Sequence, residues 1–170
     1  GHDPVTHYLQ VLADKTGSLI AASAELGIIF SGAPEDYREM LRKYGESIGV
    51  AFQLIDDVID IQSDSQTSGK TPGTDLRAGV PTLPVLYLRE AATEDSESAE
   101  LVGIIDAGLE DEDKLHEVIS AMRNHPATER AFLEAKSWAE KAKASISDLP
   151  KGAVREALMN FADAVIDRQT

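Results

Sequence analysis

The chain contains no cysteine, which excludes a disulfide framework, a thiolate metal site and a thiol nucleophile and fits a cytoplasmic location. It is also poor in cations. Sixteen Lys and Arg stand against 30 Asp and Glu, a formal charge of −14. Sequence-independent nucleic-acid binding needs basic patches that neutralise phosphates, so that class is excluded. No apolar run reaches membrane-spanning length. Even "VAFQLIDDVIDI" is broken by acids, and the opening residues carry no apolar core of a signal peptide. What remains is 170 residues, 42% hydrophobic and 27% charged. These proportions describe a single globular region over 1–170, long enough to bury a core without metal or disulfide staples.

The periodicity is helical nearly everywhere. Thr6 to about Phe30 reads as one helix with Leu9, Leu12, Leu19, Ile20, Ala24 and Ile28 on its apolar side. Ser31-Gly32-Ala33-Pro34 ends it. A second helix is predicted from about Glu35 to Ile61, burying Leu41, Ile48, Phe52, Ile55 and Ile59. Gly45 and Gly49 lie inside it at a cost of about 1 kcal/mol each relative to alanine, so close helix packing or a ligand against the backbone is expected there. Residues 62–78 show no apolar period and read as a long loop. Helical patterns resume at about 81–92, 98–109, 113–124, 127–147 and 151–167, with Pro126 and Pro150 separating the last three. Glu94 to Asp113 reads as solvated acidic surface. The expected fold class is all-α.

The chemistry concentrates in "FQLIDDVIDIQSDSQTSGKTPGTDL", residues 52–76. Asp56 and Asp60 are four apart and Asp57 and Asp60 three apart, so on a helix they share one face. At about 5 Å such carboxylates repel by roughly a few tenths of a kcal/mol per pair, and several-fold more when half-buried. Leu54, Ile55, Val58, Ile59 and Ile61 interleave with them, which leaves a narrow polar stripe rather than a broad solvated face. Carboxylates without His or Cys select a hard cation, Mg²⁺ above all, sharing its shell with water and phosphate. The following "SGKTPGTDL" carries Lys70. It is no nucleotide loop, because "GxxxxGK[ST]" needs glycine where Asp64 stands and no strand precedes it. A cation beside a metal cluster suits a diphosphate. "DKTGSLI" places Lys15 and Thr16 in mid-helix, where a snorkelling lysine is the alternative reading. His2, His7, His116 and His125 have no ligand spacing and receive no role.

These segments resemble the C-terminal half of the trans-isoprenyl (polyprenyl) diphosphate synthases, an all-α isoprenoid synthase fold with a central cavity. The matching stretches are "YLQVLADKTGSLI" (8–20), "YGESIGVAFQLIDDVID" (44–60), "GKTPGTDLRAGVPTLPVLY" (69–87) and "FADAVIDRQT" (161–170). The details are most similar to bacterial medium- and long-chain enzymes of isoprenoid biosynthesis that make quinone side chains. The resemblance implies that Asp56, Asp57 and Asp60 are the second aspartate-rich motif, holding the allylic diphosphate through Mg²⁺, with Asp56 the direct ligand. It implies that Lys15 and Lys70 contact that diphosphate, and that Thr16 and Gln53 lie near the developing carbocation. Asp75 would seat the loop or bind outer-shell water, and Arg168 matches a basic residue common at the family's C-terminus. The implied reaction is ionisation of the allylic diphosphate, attack by isopentenyl diphosphate and loss of a proton, extending the chain by one C5 unit.

The family's first aspartate-rich motif and its isopentenyl-diphosphate segments precede the "KT" stretch, and no counterpart of them is found here. The expectation is therefore a fragment of a prenyltransferase, inactive alone, that forms a homodimer or pairs with the missing N-terminal half. The alternatives are a non-catalytic or half-site subunit of a heteromeric synthase, and a terpene cyclase with similar metal chemistry.

Overall fold

The computed structural model describes residues 3–62 and 72–169. Among them every regular element is helical and no strand occurs, as the periodicity requires. The elements are α1 (Pro4–Leu12), a π-helical turn (Ala13–Gly17), α2 (Ser18–Ser31), α3 (Asp36–Gln62), α4 (Thr74–Arg77), α5 (Leu83–Ala91), α6 (Ser96–Asp106), α7 (Glu112–Asn124), α8 (Pro126–Ser145) and α9 (Ala153–Ile166), closed by a 3₁₀ turn (Asp167–Gln169). The boundaries follow local chemistry. Asp3, Asp95 and Asp111 each cap a helix by accepting backbone N–H groups of its first turn. Gly32, at φ +69°, ends α2 in the left-handed conformation that glycine adopts without strain.

Two compact units share the chain. One comprises the residues up to Ile55 together with Glu134–Arg168. Its core gathers Tyr44, Ile48 and Ala51 of α3, Ala139 and Ala142 of α8, Ile146 and Leu149, and Ala162 and Val165 of α9. Helices α2 and α3 meet here through residues without bulk. A Cβ on Gly45 would stand 2.7 Å from the Cα of Ala21, and one on Gly49 only 2.8 Å from the Cα of Gly17. Close helix packing is thus what offsets the two glycines. The Tyr44 hydroxyl donates to the Leu158 carbonyl at 2.7 Å.

The second unit is Asp56–Leu133. Its core includes Leu76, Leu83, Leu88, Leu115, Val118 and Met122. Arg130 stacks 3.7 Å from the Tyr87 ring centroid and pairs with Glu90. Ser98, 1% exposed, donates from its hydroxyl to Asp95. The Ala127 N–H donates to His125 Nδ1, so the imidazole proton sits on Nε2 and donates to the Ser98 hydroxyl at 3.0 Å. His125, given no role from spacing, thereby ties α6 to the start of α8. The acids from Glu94 to Asp113 are exposed, although several do more than solvate the surface: Asp106 pairs with Arg89 through both oxygens, and Arg89 holds its carboxyl below the ordinary range.

Three sequence readings are corrected. In α3, Leu41, Phe52 and Ile59 are half-buried; the fully buried set is Ile48, Val50, Ala51, Leu54, Ile55, Val58 and Ile61, because the helix is covered on more than one side. The stretch read as a loop over 62–78 contains α4, a single helical turn too short to show a period. The first helix is interrupted by the π turn. Among the described residues, no helix is long and apolar enough to cross a membrane.

Candidate functional site

The C-terminal turns of α3 alternate buried apolar residues, Leu54, Ile55, Val58 and Ile61, with the three aspartates. The fold engages two of those acids directly. At the start of α5, Thr82 provides no side-chain cap and Pro84 has no N–H, so the Leu83 amide is an orphan donor. Asp57, 8% exposed, accepts it through Oδ2 at 3.2 Å. Asp60 receives three successive amides. Its Oδ1 accepts from Thr74 N–H at 3.1 Å, its Oδ2 from Asp75 N–H at 3.0 Å, and its carbonyl from Gly73 N–H at 2.7 Å. Gly73 holds φ at +73°, and a Cβ there would lie 2.6 Å from Ile119 Cδ1; both the conformation and the space demand glycine. The Arg123 guanidinium donates to the Ile61 carbonyl at 3.0 Å, covering the C-terminal end of α3.

Asp56 is half-buried, three residues beyond half-buried Gln53 on the same helix. Asp75 is half-buried on α4. In the other unit, exposed Lys15 and half-buried Thr16 lie within the π turn, whose Gly17 packs against the α3 backbone, 3.0 Å from a Cβ position to the Glu46 carbonyl. Such turns commonly mark functional positions in a helix. Arg168 places its guanidinium 4.4 Å from the Phe52 ring centroid, a cation–π contact. Lys70 lies outside the described residues. The structure therefore brings Asp57 to Leu83 and Asp60 to Gly73, Thr74 and Asp75, with Lys15, Thr16, Gln53 and Arg168 in a separate unit.

The carboxylate donors are of the type a hard divalent cation takes. Among the described residues, however, no group of three or more His, Asp or Glu stands ready to enclose a metal. The donors present fit an ion that takes few protein oxygens and completes its shell with water and phosphate, as Mg²⁺ does. The capping bonds of Asp57 and Asp60 also explain how three acids coexist within five residues: backbone N–H dipoles offset the charge of two of them. These caps were not legible beforehand, since each depends on a partner distant in sequence. A cavity of about 890 Å³ in the second unit, lined by residues that include Tyr87, Ser98, Ile104, His125 and Arg130, is not lined by Asp56, Asp57 or Asp60.

A family profile described as polyprenyl synthetase matches residues 2–122. The nonaprenyl diphosphate synthase of Mycobacterium tuberculosis is 40% identical over 167 residues, 98% of this chain and 49% of that protein. The octaprenyl diphosphate synthase of Escherichia coli is 33% identical over 162 residues, 95% of this chain and 50% of that protein. The geranylgeranyl pyrophosphate synthase of Corynebacterium glutamicum, in a crystal structure complexed with calcium and isoprenyl diphosphate, superposes with a TM-score of 0.88 at 37% identity, over 98% of this chain and 51% of that one. The chain spans about half the length of the relatives it matches. With the profile covering well over half of the residues, the chain belongs to the polyprenyl synthetase family.

Proposed function

We propose that the whole protein is a trans-polyprenyl diphosphate synthase, a prenyltransferase that extends an allylic diphosphate with isopentenyl diphosphate, and that this chain carries the part that binds the allylic diphosphate. The observation that carries the reading is the aspartate segment at the end of α3, inside the family match. Asp56, Asp57 and Asp60 constitute the acidic side of the site, with Asp56 the direct ligand of Mg²⁺. When bound, the ion supplies charge neutralisation for a departing diphosphate. Lys15 and Lys70 add ammonium groups that take up the same kind of charge. Thr16 and Gln53 present neutral oxygen dipoles, which stabilise a carbocation without capturing it as a carboxylate would. Asp75 seats the segment that follows Lys70, and Arg168 supplies a further cation. The 1–170 region acts as one all-α part of the synthase domain, the protein works in the cytoplasm on water-soluble diphosphates, and its assembly is a homodimer. The family's domain supports these last readings by resemblance.

The test is direct. Full-length protein incubated with an allylic diphosphate, isotopically labelled isopentenyl diphosphate and Mg²⁺ is expected to yield labelled polyprenyl diphosphate, with product lost on chelation. The 170 residues alone are expected to yield none. Absence of any elongated product from the full-length protein overturns the reading. Turnover by the 170 residues alone overturns the assignment of catalysis to the longer protein.

A further inference from the structure

The start of α8 is built on a histidine. His125 leaves α7 with extended backbone, φ −78° and ψ 138°, and precedes Pro126, the first residue of α8. That is the position of an N-cap. Proline brings no N–H, so Ala127 carries the first amide of the helix, and that residue is 4% exposed. His125 Nδ1 accepts this amide at 3.1 Å. On the other side of the ring, Nε2–H donates to Ser98 Oγ at 3.0 Å. The Ser98 hydroxyl and amide in turn donate to Asp95. Those two bonds hold the Asp95 carboxyl below the ordinary carboxylate range, so it stays an acceptor when the ring changes charge.

An imidazole differs from the usual oxygen caps in one respect: its acceptor is also its basic nitrogen. A proton taken up at Nδ1 turns that acceptor into a donor aimed at the Ala127 N–H. The Ser98 bond does not decide between the charge states, because Nε2 carries a proton in both. The Ala127 bond does. A charged ring left in place strands a buried amide and sets a positive charge at the positive end of the α8 dipole. The ring also has room to leave, since it is half-buried and lines the cavity of about 890 Å³. Asp95, Glu97 and Glu100 at the start of α6 line the same cavity, with Glu117 of α7 and the Tyr87 phenol of α5. Arg130 of α8 lines it too and is paired with Glu90. These groups set the pH at which the ring charges, and the carboxylates among them offer the charged ring acceptors.

We propose that His125 is a proton-operated latch on α8: the neutral ring caps the helix and ties it to α6, and the charged ring releases the Ala127 amide and turns to the carboxylates of the cavity. The latch is independent of the prenyl-transfer reading. It is a two-state element within the second unit, biased by one proton.

The test uses full-length protein with isotopically labelled histidine and alanine, followed by NMR from about pH 8 to about pH 5. The His125 ring signals are identified by their loss in His125→Asn. At the alkaline end the ring is expected to be the neutral tautomer protonated at Nε2. As it charges, the Ala127 amide signal should move with the same midpoint, and the Overhauser contact between ring and Ala127 should disappear. Protection of that amide, taken relative to the intrinsic exchange rate at each pH, should fall about tenfold. Asparagine keeps a carbonyl oxygen that caps without titrating, so protection in His125→Asn should hold over the whole range. In His125→Ala it should be low at every pH. A ring protonated at Nδ1 at the alkaline end overturns the latch, as does a ring that never charges in this range. Ala127 protection that stays constant while the ring charges overturns the release, and so does an Overhauser contact that persists. An equal fall of protection in His125→Asn assigns the loss to another group and overturns the role of His125.

Discussion

Helix α3 meets its neighbours by two opposite means. Within the first unit, Gly45 and Gly49 let α2 approach until a Cβ would come within 2.7–2.8 Å of backbone atoms. Within the second, Asp57 and Asp60 reach out with carboxylates to amides of α5 and α4. The first contact is made of dispersion and the absence of side chains, so it is intolerant of added volume and indifferent to polarity. The second is made of a few directed hydrogen bonds, so it is intolerant of a lost acceptor. One helix thus carries a contact that fixes a distance and another that fixes an orientation.

The largest effect should fall on the proposed ligand of the ion. In the full-length protein, Asp56→Ala is expected to lower kcat by about two orders of magnitude or more with a thermal midpoint close to wild type. Steady-state kinetics beside calorimetry checks this, and near-normal turnover removes Asp56 from the metal site. Gly49→Val tests the contact without side chains. Its branched carbons must displace the Gly17 backbone, so urea unfolding should show a loss of about 3 kcal/mol. Asp60→Ala, by contrast, deletes two capping bonds without steric cost and should lose about 2 kcal/mol. If the two losses come out in reverse order, the contrast between the contacts is wrong. The smallest effect is expected at Tyr44, where loss of one hydrogen bond in Tyr44→Phe costs about 1 kcal/mol. Burial, with the Asp163 carboxylate adding to it, pushes the Tyr44 phenol up to about 12. A raised value means that this group's contribution is full below pH 10 and is lost as pH rises toward 12. Wild-type stability should decline over that range more steeply than that of the phenylalanine variant.

The helices were legible because their signals are local. The period predicted a helix from Glu35 to Ile61, and α3 runs Asp36–Gln62; Asp3, Asp95 and Asp111 cap within three residues of themselves. The segment from Asp56 to Asp60 announced itself through acids set among buried aliphatics. Its internal differences were hidden. Periodicity puts all three carboxylates on one face and cannot separate Asp57, nearly inaccessible and bonded to α5, from Asp56. The same holds for α4, whose four residues carry no repeat and whose cap is supplied from α3. Gly45 and Gly49 were visible as anomalies, but their partners, Ala21 and Gly17, lie 24 and 32 residues earlier and become neighbours only when α2 and α3 pack.

The sequence by itself determined an all-helical chain, the family to which it belongs and the acidic segment on which its chemistry turns, because helix periods and motif spacing act over a few residues. Only the tertiary structure decided that Gly73 must be glycine, through Ile119, and that Asp57 and Asp60 hold neighbouring helices. Those outcomes depend on atoms brought together from 14 to 46 residues apart, a separation at which hydrogen-bond direction and excluded volume decide and local propensity has no influence.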